Sequence, residues 1–350
     1  MNKKENILKA VRFERPDYIP MAFIINSACW QNYQQDRLFE LMESHKFLFP
    51  DFKRPQSRYT PDFPLVARKN TPFTDDWGCL WETTEDGITG TVTKHPLAQW
   101  EALKDYKIPD PNRCTGIGLA NWDQVEAETA KSKGNNEITR GSLRHGHTFL
   151  QLCDIRGYEN LIFDMADDEP NLRKLTAMIE EFNLYIVKRY LQLGVDIMEY
   201  PEDLGMQRGS MLSPKHFKEY IKPSYQCLMK PAREKGVIIH MHSDGYLHDL
   251  IDDIIEGGVE VINLQDLVNG IDWIAEKFAG KVCVELDIDR QFITSKGTPM
   301  QIDTLIRDEV EKIGRKEGGM MMVYGLYPGI PLENVKAVMD AMERYAFYFE

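Results

Sequence analysis

Apolar positions recur at helical spacing through the second half of the chain, and short apolar runs separate them. Between Asn171 and Leu193, the side chains of Leu172, Leu175, Met178, Ile179, Phe182, Ile186 and Tyr190 share one face. That spacing predicts a long amphipathic helix. Gly194 closes it, and Val195-Asp-Ile-Met-Glu-Tyr200 reads as a short strand. Ser213-Pro214 supplies an N-cap and a first-turn proline for a helix to about Glu234, followed by the strand Val237-Ile-Ile-His-Met-His242. The alternation continues with a helix from Leu247 to Glu256, a strand from Val259 to Asn263 and a helix from Ile271 to Phe278. A strand from Val282 to Leu286, a helix from Met300 to Ile313, a strand from Gly319 to Val323 and a helix from Leu332 to Tyr348 complete the pattern.

Repeated strand–helix units with short apolar strands imply a parallel sheet, and a (β/α)8 TIM-type barrel is favoured over a doubly wound sheet. No G-x-G-x-x-G turn follows any strand, as a dinucleotide-binding sheet would require. Residues 1–139 are proline-rich and irregular, whereas residues 140–350 carry the regular units. The expectation is one barrel domain over 1–350, with 1–139 giving its opening strands and insertions over the mouth.

Composition narrows the function. Lys and Arg total 42 against 55 Asp and Glu, a net charge of −13, and a surface of that sign repels phosphate backbones and anionic lipid. With no basic patch, neither nucleic acid nor membrane is an expected partner. Arg12, Glu14 and Arg15 interrupt any apolar leader near the start, so a cytoplasmic location is expected. The six cysteines (29, 79, 114, 153, 227, 283) form no C-x-x-C pair and read as small buried residues.

Candidate chemistry gathers at the strand ends: Glu199-Tyr-Pro-Glu202-Asp203, His240-Met-His242-Ser-Asp244, Asn263-Leu-Gln265-Asp266, Asp287-Ile-Asp289-Arg290 and Tyr324-Gly-Leu-Tyr327. Positions i and i+2 of a strand project to one side. His240 and His242 can therefore converge on one ion, with Glu199 and Glu202 as the added carboxylates of a zinc site. Two hydrogen-bonded histidines in a polar pocket are the alternative. Arg290 offers a bidentate fork to a carboxylate, or an internal pair with an aspartate. Asn263 and Gln265 are candidate substrate contacts. His145-Gly-His147 reads as an exposed loop pair, with His147 a candidate for substrate or anion contact.

These features resemble the uroporphyrinogen decarboxylase-like superfamily over nearly the whole chain. Val11-Arg-Phe-Glu-Arg-Pro-Asp-Tyr-Ile-Pro20 resembles its opening segment, and Asp76-Trp-Gly-Cys-Leu-Trp81 with Gly90 and His95-Pro-Leu its hairpin region. Glu202-Asp-Leu-Gly-Met-Gln207, Leu212-Ser-Pro-Lys-His-Phe217 and Gly329-Ile-Pro-Leu-Glu-Asn-Val335 resemble later family blocks. The resemblance implies a distorted (β/α)8 barrel with its site at the C-terminal mouth. Decarboxylases proper carry arginines that grip the tetrapyrrole carboxylates, whereas Met21-Ala-Phe-Ile-Ile-Asn-Ser-Ala-Cys-Trp30 holds none. The chain is thus closer to the corrinoid-dependent methyltransferase and O-demethylase branch. There His240-Met-His242 lies at the zinc-binding H-x-C position, and Tyr324 falls where a second cysteine ligand would be. The implied activity is methyl transfer between a small donor (methoxy-aromatic, methylamine or thiol class) and a corrinoid protein. Zinc is the implied cofactor, cobalamin comes only through that partner, and Asp203, Asp289 and Tyr324 are the expected catalytic groups. Metal-free decarboxylation and a non-catalytic binding barrel are the alternatives.

Overall fold

The computed structural model describes residues 2–350. Among them ten strands form: β1 (Met21–Ile25), β2 (Phe73–Thr74), β3 (Leu80–Glu82), β4 (Thr91–Lys94), β5 (Arg140–Ser142), β6 (Ile197–Asp203), β7 (Ile238–Asp244), β8 (Val261–Gln265), β9 (Cys283–Asp287) and β10 (Met320–Leu326). The chain divides into two compact units, and neither begins or ends near residue 140. One comprises residues 2–68, 85–88 and 263–350; the other comprises 69–84 and 89–262.

In the first unit the strand order is β1-β10-β9, with the last three residues of β8 next to β9. β1 joins β10 in parallel with Met21 opposite Met322, and β10 joins β9 with Met322 opposite Leu286. The helices Pro299–Ile313 and Leu332–Ala346 pack together. They bury Ile302, Ile306, Val310, Val335, Val338 and Met342 completely. Entry to β10 depends on Gly319, whose φ is +84° and whose missing Cβ would lie 2.1 Å from the Phe13 ring. Alanine there meets both a left-handed backbone and the half-buried Phe13 ring. Gly319→Ala is expected to destabilise by about 1–3 kcal/mol in urea unfolding; an unchanged midpoint would show that Phe13 moves aside freely.

In the second unit β5, β6 and β7 are parallel neighbours, with Ile197 opposite Ile238 and Asp203 opposite Asp244. β2, β3 and β4 form a separate antiparallel sheet, the hairpin region anticipated around Trp77. The long helix runs Pro170–Leu193 and stops at Gly194, where φ is +68°. The helix expected from Ser213 is interrupted: Phe217–Ile221 winds as a π turn before Lys222–Glu234 resumes. The expected helix from Leu247 shrinks to Ile251–Ile255. The chain before it is drawn aside, with the Tyr246 N–H donating to the Met206 carbonyl at 2.8 Å. Gly205 and Gly245 touch backbone to backbone, since a Cβ on Gly245 would lie 2.1 Å from the Gly205 carbonyl. Small residues here let the loop after β6 meet the loop after β7, and both strands end in acids.

Five of the six cysteines are buried and all six are free thiols. Among the described residues no helix is long and apolar enough to cross a membrane.

Candidate metal centre

Asp203 closes β6 and His242 lies one strand over on β7, opposite Pro201. Strand alternation puts Asp203, Pro201 and Glu199 on one face of β6. His145 arrives from the loop after β5. Its Nε2 is 3.3 Å from Asp203 Oδ1, and His242 Nε2 is 3.6 Å from the same oxygen. The two imidazole centroids are 5.5 Å apart, and the ligand atoms of all three residues lie within 4.8 Å of one another. Asp244 reaches the edge of this group, with Oδ1 3.8 Å from His242 Nε2 and its N–H donating to Asp203 Oδ1 at 3.1 Å.

The site faces solvent unevenly: side-chain exposure is 51% for His145, 28% for Asp203 and 19% for His242. Burial would raise the Asp203 carboxyl, but hydrogen bonds and charge from His145 and His242 outweigh it and hold it well below the usual carboxylate range. Asp203 is thus an anion between two imidazoles. Donors 2.0–2.1 Å from one tetrahedral zinc ion sit roughly 3.3–3.4 Å apart. The 3.3 and 3.6 Å separations fit that requirement, and the group could offer two nitrogen donors and one oxygen donor.

This corrects the grouping expected from spacing. His240 lies two residues back along β7, opposite Glu199, roughly 6.6 Å down the strand and too deep to share an ion with Asp203. The Glu199 carboxylate is taken by Arg140 at 2.6 Å. Glu202, next to Asp203, points to the other face and is fully buried. Its oxygens accept the N–H groups of Thr148, Phe149 and Leu150 at 2.9, 2.8 and 3.1 Å and the Tyr225 hydroxyl at 3.2 Å. Burial pushes this carboxyl up to about 7, against the opposing pull of the three N–H donors. His147 is buried with Nδ1 2.7 Å from Thr148 Oγ1, and burial lowers it to about 3, so it stays neutral and out of substrate reach. His145, expected to be a loop histidine without contacts, is the residue that completes the group. Its signal was weak because it precedes Asp203 by a helix-rich stretch and stands on no strand.

The remaining candidates belong to the first unit. The Asp289 carboxylate accepts the N–H groups of Gln291, Phe292, Ile293 and Thr294 at 2.6–3.2 Å, capping the short helix Ile293–Lys296. Those bonds occupy the oxygens that proton transfer would need. Tyr324 is fully buried, with its hydroxyl 3.2 Å from Thr294 Oγ1, so it does not line an open substrate surface. Arg290 makes the internal alternative: Nη2 donates to Asp287 at 2.6 Å and the guanidinium lies 5.3 Å from the Tyr327 ring centroid. Asn263 Nδ2 donates to the Glu285 carbonyl at 2.7 Å, while half-buried Gln265 lines a small cleft with Asp287 and Arg290.

One feature of this unit went unread in the sequence. Glu309 falls on the apolar stripe Ile302, Leu305, Ile306, Val310 and Ile313 and is fully buried beside Asp266, and neither of its carboxyl oxygens has a hydrogen-bond partner among the described residues. A charged residue at a core position of a helix was the available signal. A cavity of about 510 Å³ lies against the hairpin strands of the second unit, lined by Asn70, Glu82 and several threonines. It shares no residue with the histidine group.

The sequence profile of the uroporphyrinogen decarboxylase (URO-D) family matches residues 2–345. A uroporphyrinogen decarboxylase of Christiangramia forsetii is 21% identical over 268 residues, covering 73% of this chain and 72% of that protein. Another, of Prochlorococcus marinus, is 20% identical over 356 residues, covering 96% and 95%. Among solved structures, a methyltransferase from Methanosarcina mazei matches with a TM-score of 0.64 at 15% identity, covering 99% of both chains. At that identity the likeness speaks for the fold, an α/β barrel, which agrees with the strand–helix alternation. With a profile match over almost every residue, the chain belongs to the uroporphyrinogen decarboxylase family of enzymes.

Proposed function

We propose that the chain is a zinc-dependent methyltransferase, moving a methyl group between a small donor of the methoxy-aromatic, methylamine or thiol class and a separate corrinoid protein. The observation that carries this reading is the meeting of His145, Asp203 and His242 around one point. These three residues would hold the ion. When bound, zinc supplies Lewis acidity that polarises an ether or amine donor or lowers the pKa of a thiol. The protein's own part is positional and electrostatic. Asp203 would contribute the negative charge, with the Asp244 N–H fixing its oxygen, and the His145 and His242 imidazoles would supply the two nitrogen donors. The segment Met21–Trp30 has no arginine, and the net charge is −13. Both features oppose a substrate carrying many carboxylates. The sequence has no D-x-H-x-x-G corrinoid-binding segment, so cobalamin is assigned to the partner protein.

Decarboxylation is the competing reading, favoured by the names of the curated relatives. A carboxylate kept anionic, as Asp203 is, suits a cationic intermediate as well as it suits a metal. Zinc-replete protein mixed with cob(I)alamin and a panel of methoxy-aromatic, methylamine and thioether donors is expected to form methylcobalamin, read by absorbance. No methylcobalamin with any donor, together with CO2 release from a carboxylated substrate, would transfer the assignment to decarboxylation. Neither product would leave a binding role.

A further inference from the structure

We infer that Glu202 is the positioning residue of the metal centre: its buried carboxylate ties the His145 loop to β6, so that His145 meets Asp203. The inference rests on the zinc reading of His145, Asp203 and His242. A histidine that is half exposed on a loop has several rotamers and a mobile backbone to lose on ligation, and a centre that needs it gains from a loop already fixed. The run from Leu143 to Leu150 is held at almost every residue. The Leu143 N–H donates to the Glu199 carbonyl and the Gly146 N–H to the Pro201 carbonyl, at 3.1 and 2.9 Å. Arg144 Nε donates to the His145 carbonyl at 3.1 Å. The same guanidinium is anchored by Asp154 at 2.7 Å and lies 5.7 Å from the Trp81 ring.

Glu202 takes the other end of the run. Three successive backbone N–H groups, from Thr148, Phe149 and Leu150, converge on its two oxygens, and the Tyr225 hydroxyl holds the carboxylate from behind. Asn183 adds a bond to the His147 carbonyl at 2.6 Å. Because Glu202 and Asp203 are adjacent on β6, they face opposite sides of the strand. One peptide unit therefore carries the metal-facing carboxylate on one face and the loop anchor on the other. Any slip of the anchor moves His145 directly against Asp203.

The test uses the full chain stripped of metal, with zinc affinity read by competition against a chromophoric chelator. Wild type, Glu202→Gln, His145→Ala and the double variant form a cycle. Glutamine keeps one acceptor but opposes the Leu150 N–H with an N–H of its own, so Glu202→Gln is expected to weaken zinc about 10-fold or more. The double variant should bind about as weakly as His145→Ala alone, because an anchor matters only while it has a ligand to place. A cobalt(II)-loaded sample should lose intensity in its visible bands in Glu202→Gln while far-ultraviolet circular dichroism stays unchanged. If Glu202→Gln fails to fold, Tyr225→Phe removes one bond to the same carboxylate and should show the same non-additivity with His145→Ala at smaller amplitude. Wild-type affinity in Glu202→Gln, or losses that simply add in the cycle, would overturn the positioning role. A wild-type chain that binds no zinc would overturn the metal reading itself, and this inference with it.

Discussion

Asp203→Asn protein is expected to come through dialysis with little or no zinc, where the wild type retains about one equivalent. The substitution keeps the shape of the side chain and removes its charge. Asp203 is the shared partner of both imidazoles, at 3.3 and 3.6 Å, so its loss removes a ligand and the only anion between them in this group. An affinity loss of at least about 100-fold follows, since ligand removal should exceed the 10–100-fold typical of supporting residues. His242→Ala and His145→Ala should also lose metal, whereas His240→Ala should keep it because that imidazole lies deeper along β7. Elemental analysis of the four variants decides the matter: zinc retained by Asp203→Asn, or lost only in His240→Ala, would sink the assignment. Acidification gives an independent check. Imidazoles ligate only when neutral, so zinc affinity should fall as pH drops from 8 towards 5. In the metal-free protein the depressed Asp203 carboxyl contributes stability that is present above its unfolded pKa near 4 and lost as pH falls through its lower folded value.

A second large effect is expected at the opposite end of the pH scale. Burial pushes the Glu309 carboxyl well above its ordinary value, and the neighbouring Asp266 charge pushes it the same way. Asp266 is itself raised by burial, to about 6. A proton held on Glu309 and shared with Asp266 is the expected arrangement, since burial and the Asp266 charge both favour the neutral form of Glu309. A raised folded pKa means that stability is fully present below the unfolded value near 4.3 and is lost as pH rises through the folded one. Wild-type protein should therefore lose stability on the alkaline side, where Glu309 must ionise without a counter-charge. Glu309→Gln replaces the shared proton by a permanent N–H donor and should abolish that loss, a difference of about 1–3 kcal/mol at pH 9–10 in urea unfolding. Parallel curves for the two proteins would rule out the shared proton.

Much of the scaffold was legible because β/α alternation leaves a direct trace in apolar spacing. The helices Pro170–Leu193, Pro299–Ile313 and Leu332–Ala346 and the strands β6, β7, β9 and β10 fall where the pattern put them. Two of the three residues of the candidate metal site, Asp203 and His242, were also visible as polar strand ends. What stayed hidden depends on facing and on long-range closure. Glu202 reads as a carboxylate partner of the histidines because it stands at the end of the preceding strand, yet the two-residue repeat of that strand already assigns it to the face opposite Asp203. His145 is separated from Asp203 by two helices of the second unit and the long helix Pro170–Leu193, so no local spacing links them. Asp289 and Arg290 looked available because sequence does not show which polar groups the backbone and neighbouring side chains will consume. Asp289 is spent on four N–H donors and Arg290 on Asp287.

The pairing of β1 with β10 sets a timetable for synthesis. Met21 finds Met322 only after roughly 300 further residues have been made, which at about 5–20 residues per second takes roughly 15–60 s. The second unit lies entirely within residues 69–262, so its strands can pair while the ribosome is still working. The amino-terminal segment, holding the apolar run Met21–Ile25, must wait with an unpaired strand edge until the last quarter of the chain emerges. A nascent chain stalled before β10 would thus leave Met21–Ile25 without its strand partner, and β10 is the clasp that withdraws it.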